Sequence, residues 1–128
     1  MEGEGVVGWQ IRRNKFGAQR TNGYSSKLEA AVRQILDLRE KAGEISDIQR
    51  GGVHLTCGIR WNVDFNYLDV KTGERVWVEA KGVETERYRI CLKLWRGGFG
   101  PGDLEVWKGN WRRPMLVEIV KPNKEVKK

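Results

Sequence analysis

The stretch Ile59-Arg60-Trp61-Asn62-Val63-Asp64-Phe65-Asn66-Tyr67-Leu68-Asp69-Val70, followed by Lys71-Thr72-Gly73-Glu74 and Arg75-Val76-Trp77-Val78-Glu79-Ala80-Lys81, reads as a strand, a turn and a return strand. Side chains of a strand alternate between its faces, which predicts Trp61, Val63, Phe65 and Tyr67 on one side and Asn62, Asp64 and Asn66 on the other. On the return strand Val76, Val78 and Ala80 oppose Trp77, Glu79 and Lys81. If Val70 faces Arg75 across the turn, Asp64 faces Lys81 and Asn66 faces Glu79. Directly opposed residues share a face of the sheet, so the acids and the lysine converge. A slip of one residue would separate them, and the apolar alternation opposes that slip.

Upstream, Ser26-Lys27-Leu28-Glu29 fits a capping box, and Leu28, Val32, Ile35, Leu38 and Ala42 recur at helical spacing before Gly43. A helix over 26–42 is expected, followed by short strands near Ile45–Ile48 and Val53–Cys57. Downstream, Tyr88, Cys91, Leu92 and Trp95 predict a second helix over 85–95, with Arg89, Lys93 and Arg96 forming a basic stripe. Residues 96–102 are glycine-rich and read as a loop. Leu104–Trp107 and Met115–Val120 read as strands. Helix, strands, helix, strands suits an α/β or α+β domain with one mixed sheet flanked by helices. The expected organisation is an irregular basic arm over 1–24, one domain over 25–120 and a charged tail over 121–128.

The chain has 128 residues, enough for one core. Its formal net charge of +7 favours a polyanionic partner, either nucleic acid or an anionic membrane. Arg12, Arg13, Lys15 and Arg20 lie in a run without acids, and bases outnumber acids again after Leu104. No run approaches the ~20 apolar residues of a membrane span, which favours nucleic acid. With Cys57, Cys91 and His54 the only thiols and imidazole, a zinc site lacks ligands. Two isolated thiols suit a reducing cytoplasm.

Paired carboxylates with a nearby lysine are what phosphodiester hydrolysis needs. Mg²⁺ takes oxygen ligands, and two carboxylates can fix it beside a phosphate. A lysine adds a point charge on the same phosphate or helps deprotonate the attacking water. Asp64, followed by Glu79-Ala80-Lys81, resembles the D…(D/E)xK core of the PD-(D/E)xK nuclease superfamily, with Glu29 in the place of its helix-borne glutamate. Asn14-Lys15-Phe16-Gly17-Ala18, Ser25-Ser26-Lys27-Leu28-Glu29-Ala30, Ala42-Gly43-Glu44-Ile45-Ser46, Asp64-Phe65-x-Tyr67 and Glu79-Ala80-Lys81-Gly82-x-x-Thr85 are similar, in order, to a small phage-encoded branch of it. The chain departs from the pattern in having Val63 where the superfamily's proline stands, and Ala80 where branch members often have aspartate.

The resemblance implies a restriction-endonuclease-like fold and a metal-dependent DNA endonuclease, similar to the superfamily's Holliday-junction resolvases. It implies metal ligation by Glu29, Asp64, Glu79 and the Ala80 carbonyl, with Lys81 as the catalytic lysine. Mg²⁺, or Mn²⁺ in its place, would be the cofactor, four-way DNA junctions the substrate, a homodimer the working unit and a host cytoplasm the location. Arg12, Arg13, Lys15, Arg20, Thr85, Arg89, Lys93 and Arg96 are the candidate DNA contacts.

Plainer readings stand beside these. Glu29 suits a capping box without catalysis. Arg89, Lys93 and Arg96 suit a solvated helix face, and Thr85 an N-cap. Gln49 is either a polar edge residue or a neighbour of the metal site, and His54 is more simply structural. Trp95 and Phe99 belong to the core, stack on unpaired bases or pack a dimer interface. The competing functions are a nicking or restriction-like nuclease and a non-catalytic DNA-binding module.

Overall fold

The Ser26 hydroxyl accepts the Glu29 backbone N–H at 3.1 Å and starts the first helix, α1, Lys27–Lys41. Gly43, at φ +81°, lets the chain leave it. The computed structural model describes residues 26–123. The expected basic arm, with Arg12, Arg13, Lys15 and Arg20, lies outside the described residues, as does most of the charged tail. The strands are β1 (Ile45–Gln49), β2 (Val53–Thr56), β3 (Ile59–Trp61), β4 (Phe65–Asp69) and β5 (Arg75–Ala80). Helix α2 (Glu86–Leu94) follows, then a looser turn over Trp95–Phe99 that ends around Gly98 at φ +111°. β6 (Leu104–Asn110) and β7 (Arg113–Val120) complete the domain.

One five-stranded sheet runs in the order β1-β4-β5-β6-β7, and β2 pairs with β3 in a separate ribbon. β5 and β6 are parallel; the other neighbours are antiparallel. The expected mixed sheet with helices is therefore present as an α+β arrangement. Leu28, Val32 and Leu36 of α1 pack with Phe65, Tyr67, Val78 and Trp107 on one face. On the other, Tyr88, Cys91 and Trp95 pack with Leu104, Val106 and Val120, and the β2–β3 ribbon adds Val53, Leu55 and Trp61.

The deciding stretch is not one strand. Trp61 and Val63 enter the α2-side core, whereas Phe65 and Tyr67 enter the α1-side core. A continuous strand would hold all four on one face. The chain satisfies both cores by leaving strand geometry over 62–64.

The turn also begins earlier than expected. Asp69 Oδ1 accepts the N–H groups of Lys71 (2.9 Å) and Thr72 (3.1 Å), and the Gly73 N–H reaches the Asp69 carbonyl. This turn at Asp69 pairs Leu68 with Arg75 and Phe65 with Val78, a register two residues from the expected one. An even shift preserves the faces, so Asp64 remains on the Glu79 side.

The first-helix stripe is rotated as well. Leu36 is fully buried and Leu38 is 67% exposed, because the helix meets the sheet along Leu28, Val32 and Leu36 at i, i+4, i+8 spacing.

Candidate active site

Asp64 stands just before β4 and Glu79 near the end of β5. The Asp64 N–H donates to the Val78 carbonyl at 3.1 Å, and Asp64 Oδ2 accepts the Ala80 N–H at 2.7 Å. The hairpin backbone thus holds the Asp64 carboxylate against β5, beside Glu79. Glu79 is 4% exposed, and its Oε1 is buried without a hydrogen-bond partner among the described residues. Buried side-chain acceptors are normally satisfied, so an orphaned carboxylate oxygen marks a place where something polar or charged belongs.

Lys81 continues the line. Its N–H donates to the Trp107 carbonyl at 2.9 Å, and its Nζ lies 5.7 Å from the Tyr88 ring centroid. The cleft shared by Asp64, Glu79 and Lys81 has a volume of about 300 Å³. Thr85 lines it too: its hydroxyl caps α2 by accepting the Tyr88 N–H at 3.1 Å, the plainer of its two expected roles.

Glu29 arrives from the first turn of α1. It is 2% exposed and carries an ion pair from Arg50 Nη2 to its Oε2 at 2.5 Å. The capping box is therefore half used: Ser26 caps the helix, while the Glu29 carboxylate is directed to Arg50. Glu29, Arg50, Asn62 and Asp64 border a second cleft of about 250 Å³, so Asp64 and Asn62 stand on the boundary between the two clefts.

Burial and mutual repulsion disturb both hairpin acids. Desolvation, and then the charge of Glu29, raise Asp64 to about 7, against the opposing pull of the Ala80 N–H, Lys81 and Arg50. Desolvation, and then the charge of Asp64, raise Glu79 to about 9, with Lys81 opposing. Two carboxylates that resist joint ionisation, one with an orphaned oxygen, fit a hard cation. Among the described residues, however, no three acid, histidine or cysteine side chains are gathered into a ready-made metal cage. The structure brings Asp64, Glu79 and Lys81 into one cleft, and it holds Glu29 against Arg50 in the adjoining one.

Other expected residues do not meet there. Arg89 pairs with Glu84 at 3.5 Å, Arg96 pairs with Glu118, and Lys93 is exposed; none of the three lines the cleft. Only the first turn of α2 reaches it, so the basic stripe beyond that turn faces elsewhere. Gln49 is exposed and donates to Asp47 at 3.0 Å, so its amide is engaged on β1 rather than directed at the acids. Trp95 is fully buried and donates to the Gly102 carbonyl at 2.8 Å, which excludes base stacking by its ring; Phe99 is 45% exposed. His54 Nε2 accepts the Gly58 N–H in the β2–β3 turn, a structural role as expected. Asn66, expected on the acidic face, accepts from Arg75 instead.

The cleft also holds Arg60, Asn62 and Arg87, which the sequence did not single out. Sequence alternation groups Arg60 and Asn62 with Asp64, but the chain leaves strand geometry over 62–64, so alternation is not what places them in the cleft. Arg87 carried no such mark, since its place in the cleft depends on how α2 docks. No family model matches the chain, and neither a curated protein nor a solved structure is significantly similar to it.

Proposed function

We propose that the protein is a metal-dependent DNA endonuclease that hydrolyses phosphodiester bonds at the Asp64–Glu79–Lys81 cleft. The observation that carries this reading is the buried, backbone-held pair Asp64 and Glu79 with an unsatisfied Glu79 oxygen and Lys81 in the same cleft. The mixed sheet between helices, with its acids on a hairpin, agrees with the restriction-endonuclease-like fold that the sequence resemblance implies. No helix among the described residues is long and apolar enough to cross a membrane, and the basic charge favours a nucleic acid partner.

Asp64 and Glu79 would hold Mg²⁺, or Mn²⁺ in its place, with the Ala80 carbonyl adjacent and Glu29 available once Arg50 moves from it. A bound divalent ion supplies Lewis-acid polarisation of a phosphoryl oxygen and acidifies water. Lys81, in the same cleft, would bring its ammonium to the same phosphate, offset the charge that develops on it and orient the attacking water. The Tyr88 ring flanks the Lys81 ammonium, its centroid 5.7 Å from Nζ. The preferred substrate is a four-way DNA junction cut by a homodimer in the cytoplasm of a host cell, a choice that rests on resemblance to junction resolvases.

The test is cleavage of synthetic junction, flap, duplex and single-stranded DNA with and without Mg²⁺. Paired symmetric cuts on the junction support the resolvase reading; cuts confined to linear DNA replace it with a nicking or restriction-like nuclease. Asp64→Asn is expected to lose cleavage and keep DNA affinity. Metal-independent behaviour, identical in wild type and variant, would leave a DNA-binding module.

A further inference from the structure

Arginines in this domain are mostly spoken for. Arg33, Arg39, Arg50, Arg75, Arg89 and Arg96 each lie on a carboxylate. Arg60 and Arg87 do not: among the described residues neither has an acid within ion-pair distance, and the same holds for Lys81. Among the described residues the other arginines without one are Arg112, on the β6–β7 turn, and Arg113, at the start of β7, both outside the cleft. Arg60, Lys81 and Arg87 line one cleft with the buried acids. Three cations that line one cleft, none with an ion-pair partner among the described residues, leave the mouth of that cleft a place for an anion.

The two arginines are positioned rather than merely nearby. Arg87 Nη2 donates to the Arg60 carbonyl at 2.5 Å, which ties α2 to β3 and leaves the rest of the guanidinium fork open. Gly52 makes room for the Arg60 side chain. A Cβ there would lie 2.7 Å from Arg60 Nε and 2.4 Å from Asn62 Oδ1. Arg60 and Asn62 thus lie across the start of β2, at the cleft mouth. Two guanidinium groups lining one cleft suit phosphate oxygens, which each can engage through parallel N–H donors.

We propose that Arg60 and Arg87 form a phosphate clamp that holds a second backbone phosphate of the nucleic acid strand presented to Asp64 and Glu79, a contact blind to sequence. The proposal rests on the nuclease reading for its substrate and places the strand along β3 and the first turn of α2, not along the Arg89–Lys93–Arg96 stripe.

The experiment measures affinity for fluorescent duplex and single-stranded DNA in EDTA across a salt series, then Mg²⁺-dependent cleavage. The proteins are wild type, Arg60→Gln, Arg87→Gln, Gly52→Ala and an Arg89→Gln/Lys93→Gln double variant, each checked by thermal melting. Arg60→Gln and Arg87→Gln are expected to weaken binding about tenfold, the loss of one charge-assisted contact. Each should also flatten the log–log salt slope by about one. Gly52→Ala meets only the ends of flexible side chains, so it should fold normally and weaken binding by displacing Arg60. The double variant should bind like wild type. Because Arg87→Gln also removes a structural hydrogen bond, Arg60→Gln and Gly52→Ala decide the matter should that variant melt early. Wild-type affinity in both overturns the clamp, as does a larger loss in the double variant. Cleavage with arginine-independent binding sinks the clamp and leaves the nuclease; arginine-dependent binding without cleavage by wild type does the reverse.

Discussion

Asp64 and Glu79 face each other across a hairpin in surroundings that favour their neutral forms, and this has a thermodynamic consequence. Burial and mutual repulsion raise both above the ordinary carboxylate range. In the unfolded chain they ionise near pH 4. A raised folded value means that the pair's contribution to stability is complete below about pH 4 and is lost as pH rises through the folded values, about 7 and about 9. Without divalent ions, the melting temperature of wild type relative to an Asp64→Asn/Glu79→Gln variant should fall from pH 5 to pH 9. Mg²⁺ binding only the folded form should restore wild type, and more strongly at pH 9, because the ligands must be ionised. A wild-type-minus-variant difference that stays flat with pH would remove the electrostatic account of the pair. On the nuclease reading, Asp64→Asn would remove a metal ligand worth several kcal/mol of transition-state stabilisation and should lower kcat by about 10²-fold or more. Lys81→Met should lower kcat by a similar factor, about 10²-fold, while changing KM less. Single-turnover cleavage of a labelled oligonucleotide measures both.

The hairpin between β4 and β5 carries the candidate site, and the Asp69 side chain helps to hold its turn. Asp69 accepts two backbone N–H groups of the turn and brings Asp64 beside Glu79. Asp69→Ala leaves those donors to water and should cost about 1 kcal/mol, as lost cap and turn hydrogen bonds do. Urea denaturation would show it, and cleavage should fall with it as the pairing loosens; a variant as stable as wild type would mean that Gly73 and the ladder suffice. Elements with local signals were legible in the sequence: Ser26 and Gly43 bound α1, Thr85 caps α2, and alternation put Asp64, Glu79 and Lys81 on one face. That last inference outlived a wrong register only because the error was an even number of residues. What was not legible depends on packing between distant elements. The break over 62–64 arises because Val63 and Phe65 are drawn into different cores, and the Glu29–Arg50 pair needs α1 and the end of β1 to be brought together. Leu38 looked like core because a helix stripe alone does not show which of its edges the sheet covers.

Among the described residues one five-stranded sheet is covered by α1 on one face and by α2 with the β2–β3 ribbon on the other, and the candidate site draws on both covers. Glu29 comes from α1 on one face, Thr85 and Arg87 come from the start of α2 on the other, and Asp64, Glu79 and Lys81 stand between them at one end of the interior strands β4 and β5. Neither helix can loosen without disturbing one side of the cleft. Val78 of β5 and Leu104 of β6 are fully buried on opposite faces of the same parallel pair, so strain in one core passes through shared strands into the other. Unfolding is therefore expected to be a single cooperative event rather than the peeling of one helix. Leu36→Ala, which empties a fully buried position under α1, should cost about 2–5 kcal/mol. The buried tryptophans divide between the cores, with Trp61 and Trp95 under α2 and Trp107 on the α1 side. If the sheet couples the two cores, near-ultraviolet signals of tryptophan and the far-ultraviolet helix signal should melt together in Leu36→Ala, at one lowered temperature. A helix signal lost before the tryptophan signal would mean that α1 detaches alone. Glu29 would then be a movable part of the site, able to leave while Asp64 and Glu79 stay in place.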